Sequence, residues 1–154
     1  MYKGFSPVFR SDSRILILGS FPSVISRKVD FYYGNPMNRF WKVMSVCFNE
    51  IINDTIDGKK DFLLRNNLAL WDIISNCEIE GSSDNSIKNY EAADLSVILN
   101  NSKIQKILCN GRKAYELTVK IYRDLNIPII YLPSTSTANT NFDIMLWRNE
   151  LVVQ

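Results

Sequence analysis

Four polar segments of the sequence carry side chains suited to chemistry, and each follows a short apolar run. Gly19–Ser23 reads Gly-Ser-Phe-Pro-Ser, a tight turn whose backbone amides suit an anion or a base edge. The stretch Asp72–Ser86 begins with a carboxylate where a strand would deliver it, and Asn110-Gly111 follows a third run. Pro133–Asn139 is rich in small hydroxyls that can approach phosphates closely. Taken alone, Gly19–Ser23 is at least as consistent with a structural turn, most of Asp72–Ser86 with a solvated loop, and Pro133–Asn139 is better explained as a plain Ser/Thr-rich loop.

A fifth segment, Phe31–Trp41, places three adjacent aromatics before Gly34 and then a polar side chain, Asn38. We expect a helix at Pro36–Asn49, which would put Asn38 in its rigid first turn. In the alternative interpretation the aromatics fill the core and Asn38 is a second helix cap, and composition alone favours that alternative.

The residue types that are missing restrict the chemistry. The chain of 154 residues has no histidine, which excludes Ser-His-Asp and Cys-His catalysis and a histidine general base. Its three cysteines form no C-x-x-C pair, so they suggest buried reduced thiols and neither a zinc site nor a redox dithiol. The net charge of +2 neither requires nor forbids a polyanionic partner.

Four apolar runs are predicted to be buried strands, and helical patterns lie between and after them. The predicted strands are Arg14–Leu18, Leu68–Ile74, Ile104–Cys109 and Pro128–Leu132. The predicted helices besides Pro36–Asn49 are Glu91–Leu99, Gly111–Leu125 and Phe142–Leu151. This alternation indicates an α/β fold, a three-layer α/β/α sandwich around a four-stranded, mainly parallel sheet, in a single domain spanning 1–154. Ligands bind at the carboxyl ends of such strands, where the four polar segments would meet.

Taken together and in order, these motifs resemble the uracil-DNA glycosylase superfamily. The order GSFPS, YYGNPMNRFW, LWD, CNG and LPSTSTAN is similar to its hypoxanthine-DNA glycosylase branch. The stretch NPMNRFWKV also looks like the mismatch-specific uracil-DNA glycosylases. The resemblance runs from about Gly4 to the closing helix and favours the chemical interpretation of all the segments at once.

The resemblance implies hydrolysis of the N-glycosidic bond of a damaged base that is flipped out of DNA. By match, Asn38 would orient the attacking water, because the first-motif position that holds Asp or Asn in many relatives is Phe21 here. Tyr33 would stack on the base, Phe21 would offer backbone contacts, and Asp72 would read the base edge. Ser134 would contact DNA near the lesion as part of the catalytic set. DNA contacts would also come from Ser20, Pro22, Ser23, Thr135, Ser136 and Asn139, with Thr135–Asn139 as a wedge loop.

The sequence departs from the branch in several places. Asn35 and Met37 stand where histidine and arginine are usual, and Thr137 replaces a proline of the wedge loop. Ser23 stands where glycine is common. These departures bear on phosphate contacts, loop rigidity and base preference.

We therefore expect a monofunctional DNA glycosylase for a deaminated base, hypoxanthine first. No cofactor, metal or membrane is expected, and the expected partner is DNA carrying the lesion. A cytoplasmic location is expected, because there is no apolar run of about 20 residues and no signal-peptide pattern. A monomer is expected as well. The alternatives are a mismatch-specific uracil-DNA glycosylase and a non-catalytic DNA- or nucleotide-binding module. Hydrolysis of free nucleosides is disfavoured, since the metal-binding aspartate cluster expected for it is missing.

Overall fold

The computed structural model describes residues 1–152. Its strands are β1 (Tyr2–Lys3), β2 (Ile15–Gly19), β3 (Leu68–Asp72), β4 (Ile74–Glu78), β5 (Lys88–Ala92), β6 (Lys106–Asn110) and β7 (Ile129–Leu132). Its helices are α1 (Val24–Val29), α2 (Phe40–Phe48), α3 (Ile56–Arg65), α4 (Ser96–Leu99), α5 (Arg112–Ile121) and α6 (Ile144–Leu151). Among these residues, no helix combines the length and apolar character needed to cross a bilayer.

The main sheet has four parallel strands in the order β3-β2-β6-β7, which confirms the predicted α/β fold. Gly19 of β2 is in register with Asp72 of β3, and Asn110 of β6 is in register with Leu132 of β7. All four strands therefore end at one edge. From β2 the chain continues to β3 on one side of β2, whereas β6 and β7 lie on the other side of β2. The strand order therefore reverses at β2, and this edge contains a topological switch point.

Side chains alternate across the strands and build a core on each face of the sheet. Leu16 and Leu18 belong to one core, with Ala114 and Leu117 of α5. Ile17 belongs to the other core, which is completed by side chains of α2, α3 and α6 including Phe40, Met44, Phe62, Leu63, Trp147 and Leu151. Helices on both faces give the predicted three layers.

A second, antiparallel sheet of order β1-β4-β5 was not predicted. The predicted strand Leu68–Ile74 ends too late, because β3 stops at Asp72 and a separate strand starts at Ile74. Ile73 and Ile74 donate backbone hydrogen bonds to the carbonyls of Gly19 and Ser20, at 2.9 and 3.2 Å, which turns the chain away from the main sheet. Both isoleucines are buried, so the apolar run continues through the break and hides it.

The predicted helix Glu91–Leu99 is also wrong in its first half. Glu91 and Ala92 belong to β5 and pair with β4, and only Ser96–Leu99 is helical. The backbone ladder to β4 overrides the helical spacing of the apolar side chains.

The remaining predicted helices have shifted ends. α2 begins at Phe40 instead of Pro36, because the oxygens of Asn35 and Asn38 accept hydrogen bonds from the amides of Met37 and Phe40 and hold two turns there. α5 and α6 are shorter than the predicted Gly111–Leu125 and Phe142–Leu151. The sequence patterns did not predict α1 and α3.

Candidate active site

A cavity of about 430 Å³ opens at the carboxyl ends of β2, β3, β6 and β7. It contains residues from all four polar segments that follow the predicted strands and from the aromatic segment. Its lining is Gly19, Ser20, Phe21, Pro22, Ser23, Ser26, Tyr32, Tyr33, Asn35, Asn38, Asp72, Ser82, Asp84, Asn110, Ser134, Thr135, Ser136, Thr137 and Ala138. Of the eleven side chains singled out in the sequence, Asn139 alone is outside this lining, within the part of the chain that is described.

The turn after β2 forms one wall. The side chain of Phe21 is buried in the core, and the residue also belongs to the cavity lining. The hydroxyl of Ser23 caps α1 by accepting a hydrogen bond from the amide of Ser26 at 3.1 Å. Ser23 therefore acts locally as a helix cap, a role that the glycine common at this position could not fill with a side chain.

At the floor of the cavity, the side chains of Asp72 and Tyr33 lie close to Gly19. A Cβ on Gly19 would lie 2.5 Å from Oδ1 of Asp72 and 2.8 Å from the hydroxyl of Tyr33. Only the absence of a side chain at position 19 lets both oxygens come so near the end of β2. The Tyr33 ring stacks on Phe40, with centroids 4.0 Å apart and planes 15° apart.

The carboxyl of Asp72 is the least compensated charge-bearing group of the site. Its residue is 5% exposed, and within residues 1–152 its Oδ2 has no hydrogen-bond partner. Burial, assisted by the negative charge of Asp84, raises the pKa of Asp72 to about 7. The buried Tyr33 hydroxyl makes no hydrogen bond of good geometry among the described residues. Burial and the charge of Asp72 raise its pKa, and the nearby side chain of Asn110 lowers it by less.

Asn38 lies in the turn before α2 with its amide orientation fixed. Its Oδ1 accepts a hydrogen bond from the amide of Phe40 at 2.9 Å, and only the oxygen can accept, so the NH₂ group is on the other side. No hydrogen bond from that Nδ2 group is made within the described chain. Asn38 thus holds the turn that leads into α2, whose N-cap is Arg39, and it offers a donor in the cavity lining.

The loop after β7 forms the opposite wall and is held from three sides. Asn110 exchanges two hydrogen bonds with Thr135, each of 3.0 Å. The guanidinium of Arg39 donates to the carbonyls of Ser136 and Asn139 at 3.0 and 2.9 Å. The indole of Trp147 donates to the carbonyl of Pro133 at 2.8 Å. The loop is therefore a fixed feature of the cavity rim.

The residues of this loop differ in their exposure to solvent. Thr135 is fully buried, whereas Thr137 and Ala138 are exposed and form the tip. Ser134 is half-buried, and Asn139 donates from Nδ2 to its carbonyl at 3.0 Å. Asn139 therefore positions the loop from outside the cavity.

A sequence profile of the Uracil DNA glycosylase superfamily matches residues 6–150. The chain belongs to this superfamily. A protein of Methanosarcina acetivorans named Hypoxanthine DNA glycosylase is 37% identical over 142 residues, covering 91% of this chain and 89% of that protein. A protein of the same name from Methanosarcina barkeri strain Fusaro is 32% identical over 139 residues, covering 89% and 87%.

Solved structures agree with this membership of the uracil DNA glycosylase superfamily. The chain is similar to a solution NMR structure from Methanosarcina acetivorans that carries a provisional uracil DNA glycosylase name. The TM-score is 0.84 and the identity 35%, with 97% of this chain and 95% of that chain covered. The fold and the superfamily resemblance are both confirmed.

This superfamily member also has site residues that the sequence patterns did not reveal. Residues 81–84 fold back as a strap over the turn after β2. Ser20 donates to Oδ1 of Asp84 at 2.7 Å, the amide of Val24 donates to the hydroxyl of Ser82 at 2.9 Å, and Arg27 donates to the carbonyl of Gly81 at 2.5 Å. Asp84 thereby joins the cavity from a stretch that the sequence suggested was solvated loop. The only sequence signal was the unusual polarity of Asp72–Ser86.

The cavity of this superfamily member does not have a metal-binding donor set. Within residues 1–152 no group of three or more His, Cys, Asp or Glu side chains could hold a metal ion. The groups available for chemistry are an amide, hydroxyls, one buried carboxyl, a carboxylate paired with Ser20, and backbone dipoles.

Proposed function

We propose that this protein is a monofunctional DNA glycosylase that excises a deaminated base, hypoxanthine first, from DNA. The observation that carries the proposal is the cavity at the strand ends, where the Asn38 amide, the Tyr33 ring and the Asp72 carboxyl converge. Its volume of about 430 Å³ lies in the range of roughly 300–1,000 Å³ typical of small-ligand pockets, which suits a single flipped base. Relatives named Hypoxanthine DNA glycosylase support the choice of base.

The reaction adds water across the N-glycosidic bond. The water oxygen bonds to C1′ of the deoxyribose, the bond from C1′ to the base nitrogen breaks, and one water proton ends on the base. Positive charge develops on the sugar and negative charge on the base in the transition state. Catalysis therefore requires a held water molecule and groups that stabilise a leaving anion.

Asn38 would hold the water. Its oxygen is already used by the amide of Phe40, so only the NH₂ group remains, and this group can donate to the water oxygen but cannot accept a proton. Its role would be orientation of the nucleophile, not general base catalysis. One face of the Tyr33 ring is covered by Phe40, and the flipped base would stack on the other face.

The fixed loop after β7 would contact the DNA. Its exposed tip, Thr137 and Ala138, would act as the wedge, and Ser134 and Ser136 would bind backbone phosphates. Thr135 would serve by positioning, since its side chain is buried and bonded to Asn110. On the opposite wall of the cavity, the DNA strand would contact Ser20, Pro22 and the backbone of Phe21. We expect Ser134→Ala to weaken binding of lesion DNA while retaining some turnover.

We also propose that the chain is one domain and a monomer that acts in the cytoplasm and leaves an abasic site uncut. The described cavity lining contains no lysine for a Schiff base. Borohydride should therefore trap no covalent adduct between protein and DNA, and a trapped adduct would contradict the monofunctional mechanism.

Excision from matched oligonucleotides tests the proposed function. Duplexes carrying inosine, xanthine, uracil opposite guanine, or thymine opposite guanine are incubated with excess protein, and abasic sites are revealed by alkali. We expect inosine to be excised fastest. Preferred excision of uracil would support the mismatch-specific alternative, to which the NPMNRFWKV segment is similar. Binding without excision of any base would support a non-catalytic module instead.

A further inference from the structure

The Asp72 carboxyl has an environment that does not suit an anion. It is 95% buried at the end of β3, and within the described chain its Oδ2 receives no hydrogen bond. Five ion pairs are present among the described residues, and none includes Asp72. A buried carboxylate without donors or a cation carries a large desolvation cost, whereas the neutral acid avoids most of it.

The groups around Asp72 add negative charge and no compensation. Asp84, on the strap, is the charge that acts on Asp72, and the phenols of Tyr32 and Tyr33 lie on the aromatic segment. The nearby cation Lys113, on α5, acts on Asp84. Burial raises the pKa of the Cys77 thiol, which interacts with Asp84, and of the Cys109 thiol, which interacts with Tyr33, so both stay protonated near neutral pH. Burial and the charge of Asp84 therefore both favour the neutral form of Asp72.

We propose that Asp72 takes part in base excision as a neutral carboxylic acid that donates a hydrogen bond to the leaving base. This proposal rests on the proposed glycosylase function. Oδ1 is the oxygen that lies against Gly19 in the cavity lining, and Oδ2 is enclosed. A proton on Oδ1 would face the base, with the enclosed Oδ2 as a carbonyl oxygen, the less costly group to leave unpaired.

The neutral form is also the form that the reaction needs. The base gains negative charge as the glycosidic bond breaks, and a carboxylate beside it would repel that charge. A carboxylic acid donates to the base and becomes a stronger partner as the charge grows. Hypoxanthine, xanthine and uracil each carry a C=O, and the proton on Oδ1 is a donor that such a base oxygen can accept.

The test combines a pH profile with an isosteric variant. Single-turnover excision from inosine DNA is measured across neutral pH for the wild type, Asp72→Asn and Asp72→Ala, with thermal melts to check folding. The wild-type rate should fall about tenfold per pH unit above the pKa of Asp72, which is about 7. The Asp72→Asn variant keeps a hydrogen-bond donor and an acceptor, so its excision rate should be lower than that of the wild type but should not fall with rising pH. The Asp72→Ala variant should be far slower at every pH.

A second measurement follows the Asp72 carboxyl directly. The carbon-13 shift of this carboxyl in free wild-type protein, assigned with Asp72→Asn, should titrate near pH 7. An ionised Asp72 at pH 6, or a folded but inactive Asp72→Asn beside a wild type that speeds up with pH, would overturn the proposal. A wild type with a neutral Asp72 but no excision of any base would overturn the proposed function, and the donor role with it.

Discussion

Asn110 and Thr135 bind each other twice: the amide NH₂ of Asn110 donates to the Thr135 hydroxyl, and the Thr135 backbone amide donates to Oδ1 of Asn110. Both distances are 3.0 Å. The pair joins the end of β6 to the loop that follows β7. Thr135 is fully buried and Asn110 is half-buried, and the two bonds fix the loop relative to the sheet.

Replacing Asn110 should loosen this loop. Asn110→Ala removes both hydrogen bonds, so we expect a loss of about 1–3 kcal/mol in the free energy of unfolding. Affinity for lesion DNA should also fall several-fold. Urea denaturation and fluorescence anisotropy measure the two effects. Asn101→Ala, at an exposed position, is the matched control and should change neither; equal effects of the two variants would remove Asn110 from the account.

Arg39 should not tolerate lysine. Its guanidinium reaches two loop carbonyls and lies 4.9 Å from the ring centroid of Phe142, a geometry that a single ammonium cannot reproduce. Arg39→Lys should increase hydrogen exchange at residues 136–140 and weaken DNA binding. Arg10→Lys, at a surface ion pair, serves as the control. Unchanged exchange in the loop would show that Arg39 does not hold it.

Gly19→Ala should disturb the floor of the cavity. The new methyl group would lie well inside contact distance of Asp72 and Tyr33, so one of them must move. We expect a loss of about 1–3 kcal/mol of stability from overpacking. Excision should fall further than binding of undamaged DNA, which depends on the loop after β7. Single-turnover rates and anisotropy separate the two, and normal excision would show that the floor geometry is not required.

Stability should report the protonation of Asp72. Its folded-state pKa, about 7, lies above the ordinary value of 3.8, so between these values the folded protein binds more protons than the unfolded chain. Wild-type stability should therefore fall as pH rises from 4 to 7, by a few kcal/mol, and then level off.

Asp72→Asn removes this dependence. The variant should match or exceed wild-type stability at pH 8 and lose the advantage at pH 4, as measured by urea denaturation. Asp124→Asn, at an exposed position, is the control. A wild type that gains stability between pH 4 and 7 through Asp72 would contradict a raised pKa.

The sequence was informative where local patterns and sheet geometry agreed. The continuous apolar runs of β2, β6 and β7 marked strands, and the rule for parallel strand ends brought Asp72, Ser134 and the turn after Gly19 to one edge. The resemblance singled out Asn38, which lies in the cavity lining, but its place in a turn before α2 was not predicted, since an asparagine in such a turn and one inside the first turn of a helix have similar local sequence.

The features that the sequence did not predict depend on contacts between distant parts of the chain. The strap reaches Ser20 from Asp84, 64 residues away, through hydrogen bonds that no local pattern encodes. Glu91 and Ala92 carry helical spacing yet pair with β4, because sheet formation with a partner far from local reach determined their conformation. Gly19 appeared as a turn residue, although its role is to leave room for two oxygens.

Single-turnover excision of hypoxanthine by the wild type and Asn38→Ala tests the role of Asn38 most directly, with DNA affinity and melting temperature measured on the same samples. If the NH₂ group of Asn38 holds the attacking water, the variant should cut the rate about 10²-fold or more while binding lesion DNA nearly as tightly. A folded Asn38→Ala that excises hypoxanthine at the wild-type rate would contradict the account.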